Sequence, residues 1–275
     1  MLQKELPPEF DYRFYKATNT DLSEFSDTDL MKHFINYGES EGRPGSEGCL
    51  RENIISCIPH DASVLETGSS ESPVVKGKNV KYFSIGQSEA PERGKQKTDH
   101  PVTDSMFDAV VSSHTIEHQI DLITYLKKIE KLLVRGGRYY LMIPDKRIGS
   151  DHYIPESTIE DVLSACNTTA TRHSLSNVMT GRALTTHNDR ERHWAGDHAD
   201  PGYMESIARR LRSAIADFEA GNDAGIDVRA WQFTPSGFRL ITESLCSLNL
   251  IRLRAERVYN TPRSRAEFMA VLIRL

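Results

Sequence analysis

Short apolar runs alternate with helix-length segments between residues 49 and 143, and this alternation restricts the fold more than any other feature. The runs FDAVVSS and RYYLMI flank a segment whose apolar residues recur at the 3.6-residue spacing of a helix. The pattern predicts strands at 63–66, 80–85, 107–113 and 138–143, and helices at 50–58 and 119–134. Because strands that alternate with helices form parallel sheets, the expected fold class is α/β, a Rossmann-like doubly wound and mostly parallel sheet. Ligands of such sheets bind at the carboxyl ends of the strands.

The rest of the sequence divides into a small unit before the sheet and two additions after it. Residues 1–48 carry aromatic residues at helical spacing and end in a Gly/Pro/Ser cluster, which predicts a small N-terminal helical unit in which Asp27 caps a helix. Residues 49–275 are expected to form the Rossmann-like domain, with a polar insertion at 145–200. The remainder predicts a helix near 203–220, a strand before a helix that starts near Pro235, and a final antiparallel pair of strands.

Composition excludes several classes of protein. Hydrophobic residues make up 38% of the chain and charged residues 27%, and the formal net charge of −5 gives no reason to expect nucleic-acid binding. The four cysteines form no C-x-x-C pair, so a zinc or redox motif of that kind is not expected. No apolar run approaches the roughly 20 residues that cross a bilayer, and MLQKELPPEF lacks the apolar core of a signal peptide. The expected location is the cytoplasm, with any position at the inner face of a membrane due to partners.

The stretch VLETGSS is typical of a strand that runs into a ligand-binding turn. Gly68 lets the backbone turn sharply and approach a ligand closely. Backbone amides after the turn, near Ser70, can hold an anionic group at a helix start. Glu66 has two open interpretations, one as an acceptor for a ligand ammonium and the other as an acid that braces the loop.

The segment SSHTIEH follows the strand at 107–113 and offers Ser113, His114, Glu117 and His118. Glu117 and His118 lie three and four residues after His114, so the three share a face if the turn is helical. A role in proton transfer or donor binding is favoured over bracing of the turn. Because no third-ligand pattern accompanies these residues, no metal is expected.

Charged residues also follow the strand at 138–143, in the sequence PDKR. Asp145 is a candidate general base for a sugar hydroxyl, and Lys146 and Arg147 are candidates for binding a phosphate or an acidic sugar. The alternative is a salt-bridged loop without a chemical role.

The insertion contains THNDRERHWAGDHADP, in which an aromatic residue stands among acids and histidines. Carbohydrate sites often combine an aromatic platform with such groups, and histidines can serve as bases near neutral pH. The candidate bases are His193 and Asp197, and the candidate substrate-binding residues are Asp189, Arg190, Trp194 and His198. An ordered polar lid is the alternative.

These motifs together resemble the class I S-adenosylmethionine-dependent methyltransferases. The matching pieces are VLETGS, the combination F-D-x-V-x-S-x-H-x-x-E-H with a following helix, G-G and I-P-D-K-R, and the C-terminal strands. The resemblance implies that Glu66 and Gly68 border the methionine end of S-adenosylmethionine, with Ser113 and His114 beneath it. Within this class, the sequence is similar to a subgroup that is encoded among polysaccharide-assembly enzymes. The N-terminal unit resembles an element that is attached to such proteins.

Two departures from the family pattern leave two functions open. The first turn has one glycine where the family has G-x-G-x-G, and Ser84 stands where an acid holds the cofactor ribose. The first function is an O-methyltransferase acting on a glycan hydroxyl, with S-adenosylmethionine as donor. The alternative is an inverting glycosyltransferase that binds a nucleotide-diphosphate sugar in the same crevice. In both cases the expected acceptor is a glycan or lipid-linked sugar, and the expected partners are other polysaccharide-assembly enzymes.

Overall fold

A six-stranded sheet organises the chain. The computed structural model describes residues 6–68, 73–77, 79–83, 107–166, 172–220 and 228–275. The strands are β1 Val64–Thr67, β2 Val80–Phe83, β3 Phe107–Ser113, β4 Leu133–Pro144, β5 Leu253–Val258 and β6 Glu267–Arg274. Their order is β2-β1-β3-β4-β6-β5, and only the pairings of β6, with β4 and β5, are antiparallel in this sheet. The predicted Rossmann-like α/β class and the antiparallel final pair are confirmed.

Helices lie before, between and after these strands. The α-helices of the described residues are α1 Tyr12–Thr18, α2 Asp27–His33, α3 Arg51–Ser56, α4 Leu122–Leu132, α5 Ile159–Ser164, α6 Leu175–Ala183, α7 Arg190–Trp194, α8 Tyr203–Glu219 and α9 Pro235–Ser247. Helix α4 begins later than its apolar pattern predicts because Asp121 caps it, accepting from the Thr124 amide at 2.9 Å. Thr234 caps α9 in the same way, and Pro235 occupies the first turn, where its missing N–H costs nothing.

Two apolar layers cover the two faces of the sheet. Successive residues of one strand, such as Val110 and Val111 of β3, point into different layers, as the pleat requires. The larger layer packs α4, α5 and α9 against the sheet, and the smaller one packs α3 against the other face. Trp231 and Phe233 are buried in the larger layer, as their apolar character predicts.

The N-terminal segment has a small core of its own, formed by Tyr15, Leu22, Leu30 and Phe34. Ser26, not the predicted Asp27, caps α2, because its hydroxyl reaches the Asp29 amide at 3.2 Å. The segment also contacts the sheet domain. Arg239 donates to Glu9 at 2.6 Å, and Asn260 donates to the Arg43 carbonyl at 3.0 Å. The domain boundary at residue 48 stays a prediction.

Some expectations for the strands need correction or fall outside the described residues. The strand expected before α9 is reduced to a single parallel bridge between Phe233 and Asp145, because the neighbouring position beside β4 is occupied by β6. Strand β4 begins five residues earlier than the apolar run RYYLMI predicts. Ser70 and Ser84 lie outside the described residues.

The predicted insertion contains α5, α6 and α7 and starts at the carboxyl end of β4. In the part of the chain that the structure describes, no helix combines the length and the apolar character that crossing a membrane requires.

Candidate functional site

The carboxyl ends of β1, β3 and β4 meet at one edge of the sheet. Gly68 follows β1, His114 follows β3, and Asp145 follows β4. Strand β6 runs the opposite way, so its first residue, Glu267, reaches the same edge and pairs with Pro144. No motif in the sequence predicted Glu267 as a site residue. The signal that would have identified it is the antiparallel direction of the last strand.

Glu267 joins His114 and Arg51 in one charged cluster. Its carboxylate accepts from His114 Nε2 at 2.8 Å and from Arg51 Nη2 at 3.2 Å. Arg51 also donates to the Ser113 hydroxyl. Burial opposes ionisation of Glu267, but the hydrogen bond from His114 and the charge of Arg51 together lower its pKa. Glu267 is therefore a carboxylate that fixes the orientation of the His114 ring.

His114 is the exposed member of this cluster. Its φ of 50° is rare for a residue other than glycine, and 44% of its side chain is accessible. When Nε2 donates to Glu267, Nδ1 carries the lone pair, and this atom lies 3.9 Å from Glu117 Oε1. A histidine oriented by a carboxylate, with a free ring nitrogen at the edge of the sheet, has the geometry of a general base.

Glu117 is a buried acid beside the two histidines. Its side chain is 1% exposed, and neither carboxylate oxygen has a hydrogen-bond partner among the described residues. His118 Nε2 lies 3.5 Å from Glu117 Oε1, and His118 Nδ1 donates to the Val228 carbonyl at 3.3 Å. Because burying an unsatisfied carboxylate is costly, this position favours a cationic group nearby, either an imidazolium or a ligand.

A chain of buried hydroxyls supports this edge from inside the sheet. Tyr139 contacts Ser112 Oγ at 2.6 Å and the Tyr125 hydroxyl at 3.1 Å, and Tyr125 lies 3.4 Å from Thr67 Oγ1. Burial raises the pKa of both tyrosines, so they remain neutral hydrogen-bonding groups. The chain links the ends of β1 and β3 to α4.

The turn after β1 is shaped by Glu66 and Gly68. Glu66 accepts from the amides of Val74 at 2.8 Å and Val75 at 2.9 Å, which favours the loop-bracing interpretation of this acid. Gly68 has a φ of 122°, and an added Cβ would lie 2.7 Å from Thr115 Oγ1. The turn therefore requires glycine for both backbone conformation and space.

The PDKR motif forms a salt-bridged turn. Asp145 is 1% exposed and accepts from Arg147 Nη2 at 2.6 Å and from the Thr261 hydroxyl at 2.6 Å. The Arg147 amide and Nε donate to the same carboxylate, both at 2.9 Å. Lys146 Nζ donates to the His152 carbonyl at 3.0 Å, and burial lowers its pKa. These contacts occupy both Asp145 oxygens, so the geometry favours the structural alternative over a general base.

Asp145→Asn is expected to lower the free energy of unfolding by about 2–3 kcal/mol, since it breaks a buried pair whose Arg147 partner is half exposed. Guanidinium chloride unfolding measures this change. Asp197→Asn is the matched control, because its ion pair with Arg192 is exposed and should contribute little to stability. An Asp145→Asn variant with unchanged stability and no activity would instead identify Asp145 as the base.

The candidates in the insertion have mainly local partners. Asp189 caps α7, and Asp197 forms an ion pair with Arg192 at 2.6 Å that lowers its pKa. Arg190 is exposed and lies 3.6 Å from Glu191. A carboxyl group with a lowered pKa is a weak base, so this contact does not favour Asp197 in proton transfer.

Trp194 joins the insertion to two other parts of the chain. Its Nε1 donates to the Arg265 carbonyl at 2.9 Å, and its ring lies so close to Gly42 that an added Cβ would be 2.5 Å from Cη2. Part of the ring is therefore used in packing against the N-terminal segment.

His193 and His198 belong to a cluster of imidazoles. His193 Nδ1 lies 3.0 Å from His198 Nδ1, and His193 Nε2 lies 3.1 Å from the His187 carbonyl, to which it donates. Burial and then the neighbouring imidazoles lower the pKa of His193 and His198. Both ring nitrogens of His193 have partners, so in this arrangement it offers no free base.

The predicted site residues therefore fall into two groups, one at the carboxyl edge of the sheet and one in the insertion. Gly68, Ser113, His114, Glu117 and His118 lie along the carboxyl edge with the unpredicted Glu267 and Arg51. The candidates from 189 to 198 form contacts within the insertion and with the segments around Gly42 and Arg265.

One family of known proteins matches a part of the chain that includes β3 and α4. The family described as Methyltransferase domain matches residues 86–141. No curated protein matches the sequence.

Similar solved structures are remote in sequence and shape. Burkholderia thailandensis 1,6-didemethyltoxoflavin-N1-methyltransferase shares 10% identity, covering 95% of this chain and 90% of that one, with a TM-score of 0.40. A SAM-dependent methyltransferase from Methanosarcina mazei shares 12% identity over 80% of this chain and 94% of that one, with a TM-score of 0.33. Streptomyces coelicolor geranyl diphosphate C-methyltransferase shares 10% identity over 100% of this chain and 91% of that one, with a TM-score of 0.34.

The order of the strands is that of a Rossmann-like sheet, and residues 86–141 are similar to the family described as Methyltransferase domain. This match indicates a transferase that uses S-adenosylmethionine as its cofactor.

Proposed function

We propose that the protein transfers a methyl group from S-adenosylmethionine to a hydroxyl of a glycan during bacterial polysaccharide assembly. The observation that carries the proposal is the pair formed by His114 and Glu267 at the carboxyl edge, with a 2.8 Å hydrogen bond and an exposed imidazole. Oxygen acceptors need a base that removes a proton, and this pair supplies one beside the turn at Gly68.

The residues at this edge fit the donor. Gly68 gives the backbone a turn that allows close approach, and Glu117 has two buried oxygens without hydrogen bonds among the described residues. S-adenosylmethionine, when bound, supplies an electrophilic methyl group on a positively charged sulfur and also carries an ammonium. Glu117 is a suitable acceptor for positive charge there, a role that the sequence analysis gave to Glu66 as one alternative.

His114 takes the proton of the acceptor hydroxyl in this proposal. In the neutral imidazole, the hydrogen bond to Glu267 places the proton on Nε2 and leaves Nδ1 as the acceptor, and the negative charge of Glu267 stabilises the imidazolium that forms. Arg51 in turn holds Glu267 and contacts Ser113. Alignment of the hydroxyl and the methyl group supplies much of the rate, so residues that fix His114 matter beyond their own charge.

The choice of a glycan acceptor rests on the sequence of the insertion and of the N-terminal unit. The polar residues 187–198 offer many hydrogen-bonding groups, and Asp189, Arg190 and Trp194 remain candidates for contacting the acceptor. The resemblance of the N-terminal unit to elements of polysaccharide-assembly proteins supports the same class of acceptor.

A nucleotide-sugar donor is less well supported. That alternative placed the diphosphate near the Gly68 turn or near Lys146 and Arg147. At the second place, Arg147 is paired with Asp145 and Lys146 donates to the His152 carbonyl. The methyltransferase family match also favours methyl transfer.

Calorimetry with S-adenosylhomocysteine, and separately with a panel of nucleoside diphosphates, tests the donor. We expect saturable binding of S-adenosylhomocysteine at micromolar concentration and none of the nucleotides. Transfer of labelled methyl from S-adenosylmethionine to a panel of bacterial glycans then tests the acceptor. Binding of a nucleoside diphosphate without binding of S-adenosylhomocysteine would overturn the proposal in favour of glycosyl transfer.

A further inference from the structure

Three imidazoles from different parts of the insertion meet in one place. His152 lies shortly after β4, His193 lies on α7, and His198 follows that helix. One ring nitrogen from each lies within 4.8 Å of the others. We propose that His152, His193 and His198 bind a single divalent transition-metal ion, with Zn²⁺ as the expected ion.

Backbone carbonyls hold two of the rings in the form that a metal requires. His152 Nδ1 lies 2.7 Å from the Arg147 carbonyl, and His193 Nε2 lies 3.1 Å from the His187 carbonyl. A carbonyl accepts only from N–H, so the opposite nitrogens, His152 Nε2 and His193 Nδ1, carry lone pairs. Histidines that bind metals commonly donate their second ring nitrogen to a carbonyl or carboxylate in this way.

The third histidine already faces one of these lone pairs. His198 Nδ1 lies 3.0 Å from His193 Nδ1, so in the metal-free chain it supplies the proton between them. A metal ion takes the place of that proton. The ring of His198 is stacked on that of His152, with centroids 3.7 Å apart, so binding requires rotation of one of these partly exposed side chains.

The side chains nearest to the three histidines, His187, Asp197 and Asp200, already have other partners, so we expect three protein ligands rather than four. The ring of His187 is 4.3 Å from that of His193, but its Nε2 donates to the Asp197 carbonyl and its Nδ1 accepts from the Asp189 amide. Asp197 and Asp200 are paired with Arg192 at 2.6 and 3.0 Å. The ligand set is therefore three imidazoles, which suits Zn²⁺ and leaves a position for water or an oxygen ligand.

A bound ion would connect the segment after β4 to α7 and the residues that follow it. Because Lys146 donates to the His152 carbonyl, this connection extends to the turn at the carboxyl edge.

Calorimetric titration of the full chain with ZnCl₂, after tag removal and treatment with a chelator, tests the proposal. We expect one ion per chain and a dissociation constant that rises roughly 100-fold or more in His193→Ala, with comparable losses in His152→Ala and His198→Ala. His60→Ala is the matched control, since His60 is exposed and lies outside the cluster. The zinc affinity of this variant should equal that of the unchanged chain.

X-ray absorption at the zinc edge keeps the test independent of how the variants fold. In the unchanged chain we expect nitrogen ligands at about 2.0–2.1 Å with imidazole scattering. Sulfur ligands, binding that all three alanine variants retain, or the absence of saturable binding would each overturn the proposal.

Discussion

His114→Ala is expected to lower kcat for methyl transfer by about 10²- to 10⁴-fold, the contribution of a positioned general base. The exposed ring of His114 is held by Glu267 at 2.8 Å, and its other nitrogen is available to the acceptor. Affinity for S-adenosylhomocysteine should change little, because the proton that His114 removes belongs to the acceptor and not to the donor. Steady-state rates and calorimetry on the same preparations separate these two effects.

Two variants control this result. Glu267→Gln keeps a side chain of similar shape but removes the negative charge, so its loss of kcat should be clear and smaller than that of His114→Ala. His60→Ala removes an exposed histidine outside this edge and should leave kcat unchanged. If His114→Ala retained full kcat, the base would have to be sought elsewhere.

Gly68→Val is expected to raise the dissociation constant for S-adenosylhomocysteine by roughly 10- to 100-fold, corresponding to about 1–3 kcal/mol of backbone strain. Valine disfavours a φ of 122°, and its Cβ would meet Thr115 Oγ1. The turn would shift away from the carboxyl edge and take its amides with it. Calorimetry measures the loss, and circular dichroism checks that the fold persists.

Gly136→Ala is the matched control for this experiment. Gly136 also has a positive φ, 79°, but nothing lies within 4 Å of an added Cβ. The Gly136→Ala substitution should lower the free energy of unfolding without weakening the binding of S-adenosylhomocysteine. Equal losses of affinity in both variants would attribute the effect to general destabilisation and contradict a role for the Gly68 turn.

The sequence predicted the elements whose signals are local. Strand β3 and the body of α4 follow from an apolar run and a 3.6-residue pattern, and both depend on burial of residues close together in the chain. The antiparallel direction of β6 was also predicted. The strand expected before α9 was wrong because position in a sheet depends on which strand occupies the neighbouring place, and that information is not local.

The candidate site was less predictable because its contacts join residues that are far apart in the sequence. Glu267 lies 153 residues after its partner His114, and no motif marks it. The sequence left Asp145 open as a general base or as part of a salt-bridged loop. In the structure, Arg147 and Thr261, which lies far along the chain, occupy its oxygens. His152 stands alone in the sequence, and only folding of the insertion brings it to His193 and His198.

Trp194 also connects the N-terminal segment to the region that precedes β6. The indole packs against Gly42 in the N-terminal segment and hydrogen-bonds the carbonyl of Arg265, two residues before Glu267. The N-terminal segment, which the sequence predicts to be a separate unit, thus helps to position the start of β6. The carboxylate that orients His114 lies at that start. Under the proposed function, residues 6–48 therefore help to hold the carboxylate that orients the proposed base, and exchange of this segment between related chains is expected to displace it.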